Sequence, residues 1–256
     1  MKDLTKGSIL THILQLSSFM AVSMVFQMLY FLADLYWVGR LGKDAIAAVS
    51  LAGNLTMIVV ALSQTLGIGA TTLISHAAGS KNKEQAQLIF NQAMVLTLLT
   101  GGGFLAAGML MKDVYCSTLA ADLPTVALGN AYLKWFIPAM ALQFGVATMG
   151  AALRGTGNLK PTMLVQIATV ILNIVLAPVL IFGWVIGKEH AMGVAGAAVT
   201  SFISIVLGTI GLAAYFLPEE SYLRFHPTHW KPHFSTWWQM VKIGVPAGAE
   251  FGLISV

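Results

Sequence analysis

The sequence predicts an all-α integral membrane protein: a six-transmembrane-helix bundle followed by the start of a seventh helix. Three observations carry this. Hydrophobic residues make up 57% of the chain and charged residues only 9%, where a soluble domain carries about 25% charge. Mean hydropathy is +0.79. Apolar stretches long enough to cross a bilayer recur with short polar connections, and about 20 residues at ~1.5 Å each cover the hydrocarbon core. In lipid a spanning segment must satisfy its own backbone hydrogen bonds, so these stretches are read as helices.

In chain order, the apolar runs place helices near 12–38, 46–75, 85–111, 126–153, 161–184 and 193–217, with a seventh beginning near Trp237 and cut off at Val256. Pro138 and Pro178 fall inside spans and are expected to kink them. No cleavable signal peptide is visible ahead of the first span, which is expected to act as its own insertion signal. Small residues are dense where helices should touch, as in Gly67-Ile68-Gly69-Ala70, Gly101-Gly102-Gly103 and Gly193-Val194-Ala195-Gly196-Ala197-Ala198.

Basic residues set the orientation. With the N-terminus in the cytoplasm, Lys2, Lys6, Lys81, Lys83, Arg154, Lys160, Arg224, Lys231 and Lys242 lie inside, against Arg40, Lys43, Lys112, Lys134 and Lys188 outside. That balance follows the positive-inside rule. The expected location is the inner or plasma membrane. The formal charge of +4 is scattered over short loops, which argues against nucleic-acid binding. One cysteine, Cys116, excludes an intrachain disulfide framework and a cysteine zinc site.

The longest polar connection, 218–235, divides the chain into a six-helix lobe over 1–217, a cytoplasmic linker and the start of a second lobe over 236–256. His226, His229 and His233 invite a metal reading, but Pro227 and Pro232 break any helix that would align them. A solvated loop touching the membrane surface through Tyr222, Trp230 and Phe234 is the expectation. Met240–Ala247 can be laid weakly on Ile13–Met20, and six intervening helices give both segments one orientation. That is the arrangement of a parallel-repeat transporter.

Asp34 is the only ionisable side chain between Leu14 and Val38 apart from tyrosine. A carboxylate in a span costs a few kcal/mol and normally faces a protein interior or a water-filled cavity. Two readings stand on the residues: a proton or cation site, or an interfacial acid that hydrogen-bonds a neighbour. Tyr30 shares its face one turn earlier, and Gln27 extends that face by another turn. Asn54, Gln64, Gln143, Gln166, Asn173 and Thr200 are the other polar residues read inside spans. Asn173 is a natural partner for Asp34, while the glutamines suit interhelical hydrogen bonds. Glu250 is either a cavity residue or a cytoplasmic-edge one.

The stretch Ala33-Asp34-Leu35-Tyr36-Trp37-Val38-Gly39-Arg40-Leu41-Gly42 resembles the end of the first helix of multidrug and toxic compound extrusion (MATE) transporters. Similar in the same way are Gly67-Ile68-Gly69-Ala70-Thr71-Thr72, Ala151–Met163, Asn173–Gly183, Gly193–Thr200 and Lys242–Gly248, in the family's order. The resemblance implies the N-terminal lobe of a 6+6 antiporter that exports organic, often cationic, compounds against a proton or sodium gradient. It implies a cation site at Asp34, Asn173 and Thr200 with Tyr30 beside it, able to hold Na+ but no resident metal. Gln27, Gln64, Gln143 and Glu250 are the substrate-cavity candidates. No cofactor beyond the coupling ion H+ or Na+ is implied, and the partners are small organic molecules, the lipid bilayer and the second lobe of the same chain, as a monomer.

Two positions depart from the family pattern. Ala177 stands where some members carry a second acid, and Phe19 where many have a proline. Glu250 lies about four residues before the seventh-helix acid of several members, so that role is not carried over. A lipid-linked oligosaccharide flippase of the same superfamily is the alternative, but it calls for several Arg and Lys lining the cavity, and the spans as read hold none apart from Lys134 near an end. A membrane enzyme would need paired catalytic groups, which neither His12 nor His76 has.

Overall fold

The computed structural model describes residues 9–120, 122–185, 187–218 and 221–254. Lys2 and Lys6, used in the orientation argument, and the end of the seventh segment at Val256 lie outside the described residues. Seven long helices follow in order: α1 Ile9–Gly39, α2 Lys43–Gly79, α3 Lys83–Leu119, α4 Leu123–Gly155, α5 Lys160–Phe182, α6 Val194–Tyr215 and α7 Phe234–Ile254. Among the described residues there is no strand. Among the described residues six helices are long and apolar enough to cross a membrane: α2 to α6 in full, and Ser17–Gly39 of α1.

The helices outrun their apolar cores because polar caps extend them. Asn82 Oδ1 accepts from the Gln85 N–H at 3.0 Å and Asp122 Oδ1 from the Thr125 N–H at 2.8 Å, each satisfying a donor that the first turn leaves open. Helix α5 stops at Gly183, whose φ of 67° is left-handed and free of Cβ strain. Helices α4 and α5 continue through Pro138 and Pro178.

Helix α4 is the spine. It packs on α2, α3 and α6; α5 lies on α6; and α1 leans chiefly on α5. Two apolar clusters form the core. One gathers Val38, Ala48, Cys116, Leu133, Ile137, Ile181 and Ala198 around the first half of α4. The other gathers Ile74, Phe90, Met149, Leu153, Leu212, Phe216 and Met240 around its second half. Glycines permit the closest crossings. A Cβ at Gly101 would stand 2.9 Å from the Ala141 carbonyl oxygen, and one at Gly196 would stand 2.7 Å from that of Leu180. Helix α7 runs along α2, with Gly69 against the Met240 backbone and Gly244 and Gly248 against Thr65.

The segment after α6 is not a free solvated loop. Leu223 is buried with Phe90 and Phe216, and the Phe225 ring lies 5.4 Å from that of Phe90. Two buried amides of α3 then hold the backbone. Asn91 Nδ2 donates to the Arg224 carbonyl at 3.0 Å, while its Oδ1 accepts from the His226 N–H at 2.9 Å and from Trp230 Nε1 at 3.0 Å. Gln92 Nε2 donates to the His229 and Lys231 carbonyls at 2.5 and 2.7 Å, and its Oε1 accepts from the His233 N–H at 2.9 Å. The expectation of a solvated stretch is corrected here. Two adjacent amides inside a span find partners in a returning segment, because an unpaired buried amide is costly.

Candidate functional site

Beside the first apolar cluster, which lends it Val38, Ala52, Tyr132 and Phe136, lies a cavity of about 540 Å³ walled by α1, α2, α4, α5 and α6. Most of its wall is apolar: Phe31, Leu35, Val59, Phe136 and Met140 line it. Gln27, Tyr30 and Asp34 present one face of α1 to it, since the spacings of three and four residues bring side chains to a common stripe. Gln143 and Tyr132 reach it from α4, Thr169 from α5, and Ser201 and Ser204 from α6. Among the described residues that line it, Asp34 is the one carboxylate, and no Lys or Arg joins it. Asp34 itself is half-buried.

The end of α1 is fixed by packing one turn beyond Asp34. Val38 is 1% exposed in the first core cluster. Trp37 sits edge-on to Trp184, with ring centroids 5.5 Å apart, and to Phe182 at 6.1 Å. The Arg40 guanidinium lies over Tyr36 at 4.9 Å. Such rings at a span end suit the membrane–water interface, and they leave Asp34 below them, facing the cavity.

Across the cavity, Tyr30 Oη and Ser201 Oγ are hydrogen-bonded at 2.7 Å. Asn173 is fully buried and donates from Nδ2 to the same Ser201 Oγ at 3.4 Å, while its Oδ1 has no partner among the described residues. No hydrogen bond joins Asn173 to Asp34 among the described residues, so the direct pairing expected from the sequence is not formed; Asn173 instead reaches Tyr30 through Ser201. Thr200 is also buried, but its hydroxyl donates back to the Gly196 carbonyl at 2.8 Å, and it does not line the cavity. On α6 the face that does is Ser201, Ser204 and Ile205, one helical stripe.

Of the remaining candidates, Gln27 and Gln143 line the cavity, and Gln27 Oε1 accepts from Gln166 Nε2 at 3.0 Å. Gln64 and Glu250 are not brought to it; Glu250 is exposed on α7. Sequence reasoning missed Ser201, Ser204 and Tyr132. The signal for Ser201 and Ser204 was the small hydroxyls themselves, three residues apart on a largely apolar helix.

The fold is similar to that of a MATE structure solved in complex with MaL6, with a TM-score of 0.89 at 26% identity, over 97% of this chain and 54% of that one. The FAD transporter of Shewanella oneidensis MR-1 is 27% identical over 186 residues, 73% of this chain and 40% of its own length. The probable multidrug resistance protein YoeA of Bacillus subtilis 168 is 28% identical over 239 residues, 92% of this chain and 51% of its own length. The chain thus spans about half the length of the curated relatives it matches. The MatE family model matches residues 20–179. Six apolar helices, an acid on the first and a match over more than half of its length make this chain a member of the MatE family, the multidrug and toxic compound extrusion transporters.

Proposed function

We propose that this chain forms the first lobe of a secondary active efflux antiporter that moves organic, often cationic, compounds outward in exchange for H+ or Na+ by alternating access. In this reading residues 1–217 are the lobe, 218–235 the cytoplasmic linker and 236–256 the start of the second lobe. The N-terminus is cytoplasmic, in the cell membrane. A second lobe of the full-length chain closes the transport path.

The observation that carries the reading is the lone carboxylate of Asp34 on an otherwise apolar cavity wall. An ionised acid there draws a cation, and binding of the coupling ion cancels that charge. The ion and the exported compound then favour different states, which is what coupling requires, because a ligand shifts a conformational equilibrium only through differential affinity. Tyr30, Asn173 and Thr200 belong to the same region, with Ser201 as the hydroxyl that links the first two. Ala177 leaves the site with one carboxylate, which suits a single proton or a weaker sodium site.

The test is efflux of ethidium from vesicles holding the full-length transporter, with proton and sodium gradients imposed separately. Wild-type export should follow one gradient and vanish in Asp34→Asn, which keeps the shape and removes the titration. Equal export by that variant would overturn the reading. Family membership spans multidrug export and FAD transport in the relatives above, so the substrate class has to come from the cavity itself.

A further inference from the structure

A second cavity, of about 190 Å³, opens beside the first, and the two share Gln143, Thr169 and Ile205 in their walls. Its far end is lined by Arg154, Thr162, Gln166 and Gly150. Arg154 stands on the last turn of α4. An arginine at a span end ordinarily reaches outward to water; this one folds back into the bundle. A Cβ begun at Gly150, a full turn earlier, would meet Arg154 Nη1 at 3.6 Å, and one begun at Gly67 on α2 would meet Nη2 at 3.9 Å. The guanidinium thus lies between the end of α4 and the facing helix α2, beside Gly150 and Gly67.

No described residue neutralises it. Among the described residues the one ion pair is Lys112 with Asp113, and Arg154 has no acidic partner. The Thr162 hydroxyl, which approaches the same Gly150 position at 3.8 Å, is buried without a hydrogen-bond partner. Gln143 likewise makes no hydrogen bond to a described residue and faces both cavities. A guanidinium is a planar fork that matches a carboxylate or phosphate with two parallel hydrogen bonds. Half-buried and without an acidic partner among the described residues, it can take an anion.

We propose that this smaller cavity is the receptor for the carboxylate or phosphate group of an organic anion, with Arg154 as its cation and Thr162 and Gln143 as neutral donors. The body of the same molecule lies in the larger cavity against Phe31, Phe136 and Met140. The volumes fit this division. About 540 Å³ falls in the range of drug-sized pockets, whereas about 190 Å³ holds an acidic group alone. The proposal rests on the transporter reading and names a substrate class for it: amphiphilic acids, beside the cations that Asp34 would draw. With its coupling ion bound, Asp34 is neutral and does not repel such an anion.

The experiment uses the full-length transporter in phosphatidylcholine vesicles, with carboxyfluorescein as the anionic probe and ethidium as the cationic one. The ratio of carboxyfluorescein to ethidium transport should fall at least tenfold in Arg154→Gln and recover partly in Arg154→Lys. An unchanged ratio, with both probes slowed together, would show a merely structural arginine and overturn the proposal. Ethidium moved without carboxyfluorescein by the wild type would overturn it too, while leaving the transporter reading intact. Were neither probe moved, the antiport reading would fail, and carboxyfluorescein binding by fluorescence anisotropy would decide: Arg154-dependent binding sustains the anion receptor and its absence removes it. Vesicles containing phosphatidylglycerol separate the two sources of such a group. Competition there assigns the receptor to a lipid headgroup, and no competition assigns it to a soluble anion.

Discussion

Tyr30 on α1 and Ser201 on α6 meet hydroxyl to hydroxyl at 2.7 Å, and Asn173 on α5 donates to the same serine oxygen at 3.4 Å. Three helices thus converge on one small side chain. Helix α1 has little other contact with α6, so this bond ties the face carrying Asp34 to that helix.

A double-mutant cycle with Tyr30→Phe and Ser201→Ala should return a coupling of about 0.6 kcal/mol, and no more than ~1.7, as for other hydrogen bonds between membrane helices. Unfolding of the purified protein in detergent would measure it. Additive losses would mean that the two hydroxyls do not stabilise one another.

The linker is anchored by Asn91 and Gln92. Asn91→Ala orphans the His226 N–H and the Trp230 indole and removes a donor from the Arg224 carbonyl. Each buried group left unpaired costs about 1–3 kcal/mol. Trypsin should then cut at Arg224 many times faster than in the wild type, with Gln92→Leu behaving alike. Unaltered cleavage would show that apolar packing around Leu223 and Phe225 holds the segment without the amides.

Glycine positions should divide into two classes. At Gly69 and Gly244 an added methyl collides with backbone on the facing helix, so Gly69→Ala and Gly244→Ala should cost about 1–3 kcal/mol and loosen α7 from α2. At Gly102 and Gly103 a Cβ meets nothing within 4 Å. There alanine should raise stability by up to ~1 kcal/mol through helix propensity. Melting temperatures of the four variants would show the contrast, and a uniform response would remove the packing argument.

Asp122 caps α4, and its hydrogen bonds with Thr125 hold the carboxyl below the usual carboxylate range. A carboxylate with a depressed folded-state pKa contributes stability above its unfolded pKa and loses it as pH falls through the folded one. Asp122→Asn should therefore flatten the acid-side decline by lowering the melting temperature slightly at neutral pH, where the ionised cap contributes, and leaving it nearly unaffected in acid. An identical acid profile in the variant would count against the cap.

Much of this fold was legible in the sequence because lipid leaves helices few alternatives. The six spans and the seventh start were each visible as apolar runs. Their ends were not: α3 reaches Leu119, well past 111, because polar turns such as Lys112-Asp113 read as loop yet continue the helix. At the site, Asp34, Tyr30, Gln27 and Gln143 followed from charge and helical spacing. The turn of α6 about its own axis did not. Thr200 and Ser201 are chemically alike neighbours, and only packing decides that the serine faces inward while the threonine bonds to its own helix. The partners of Asn91 and Gln92 lie well over a hundred residues away, beyond the reach of any local pattern.

The Ser201 hydroxyl has a consequence for what Tyr30 offers its surroundings. A serine oxygen owns a single hydrogen. Once it accepts from Asn173, it either gives that hydrogen to Tyr30 or takes the phenol's. In the first arrangement the phenol keeps a free hydrogen, suited to an ionised carboxylate one turn along α1. In the second it shows a bare lone pair, suited to a protonated acid or a sodium ion. Rotating two O–H bonds, with no movement of any heavier atom, switches the wall beside Asp34 from donor to acceptor.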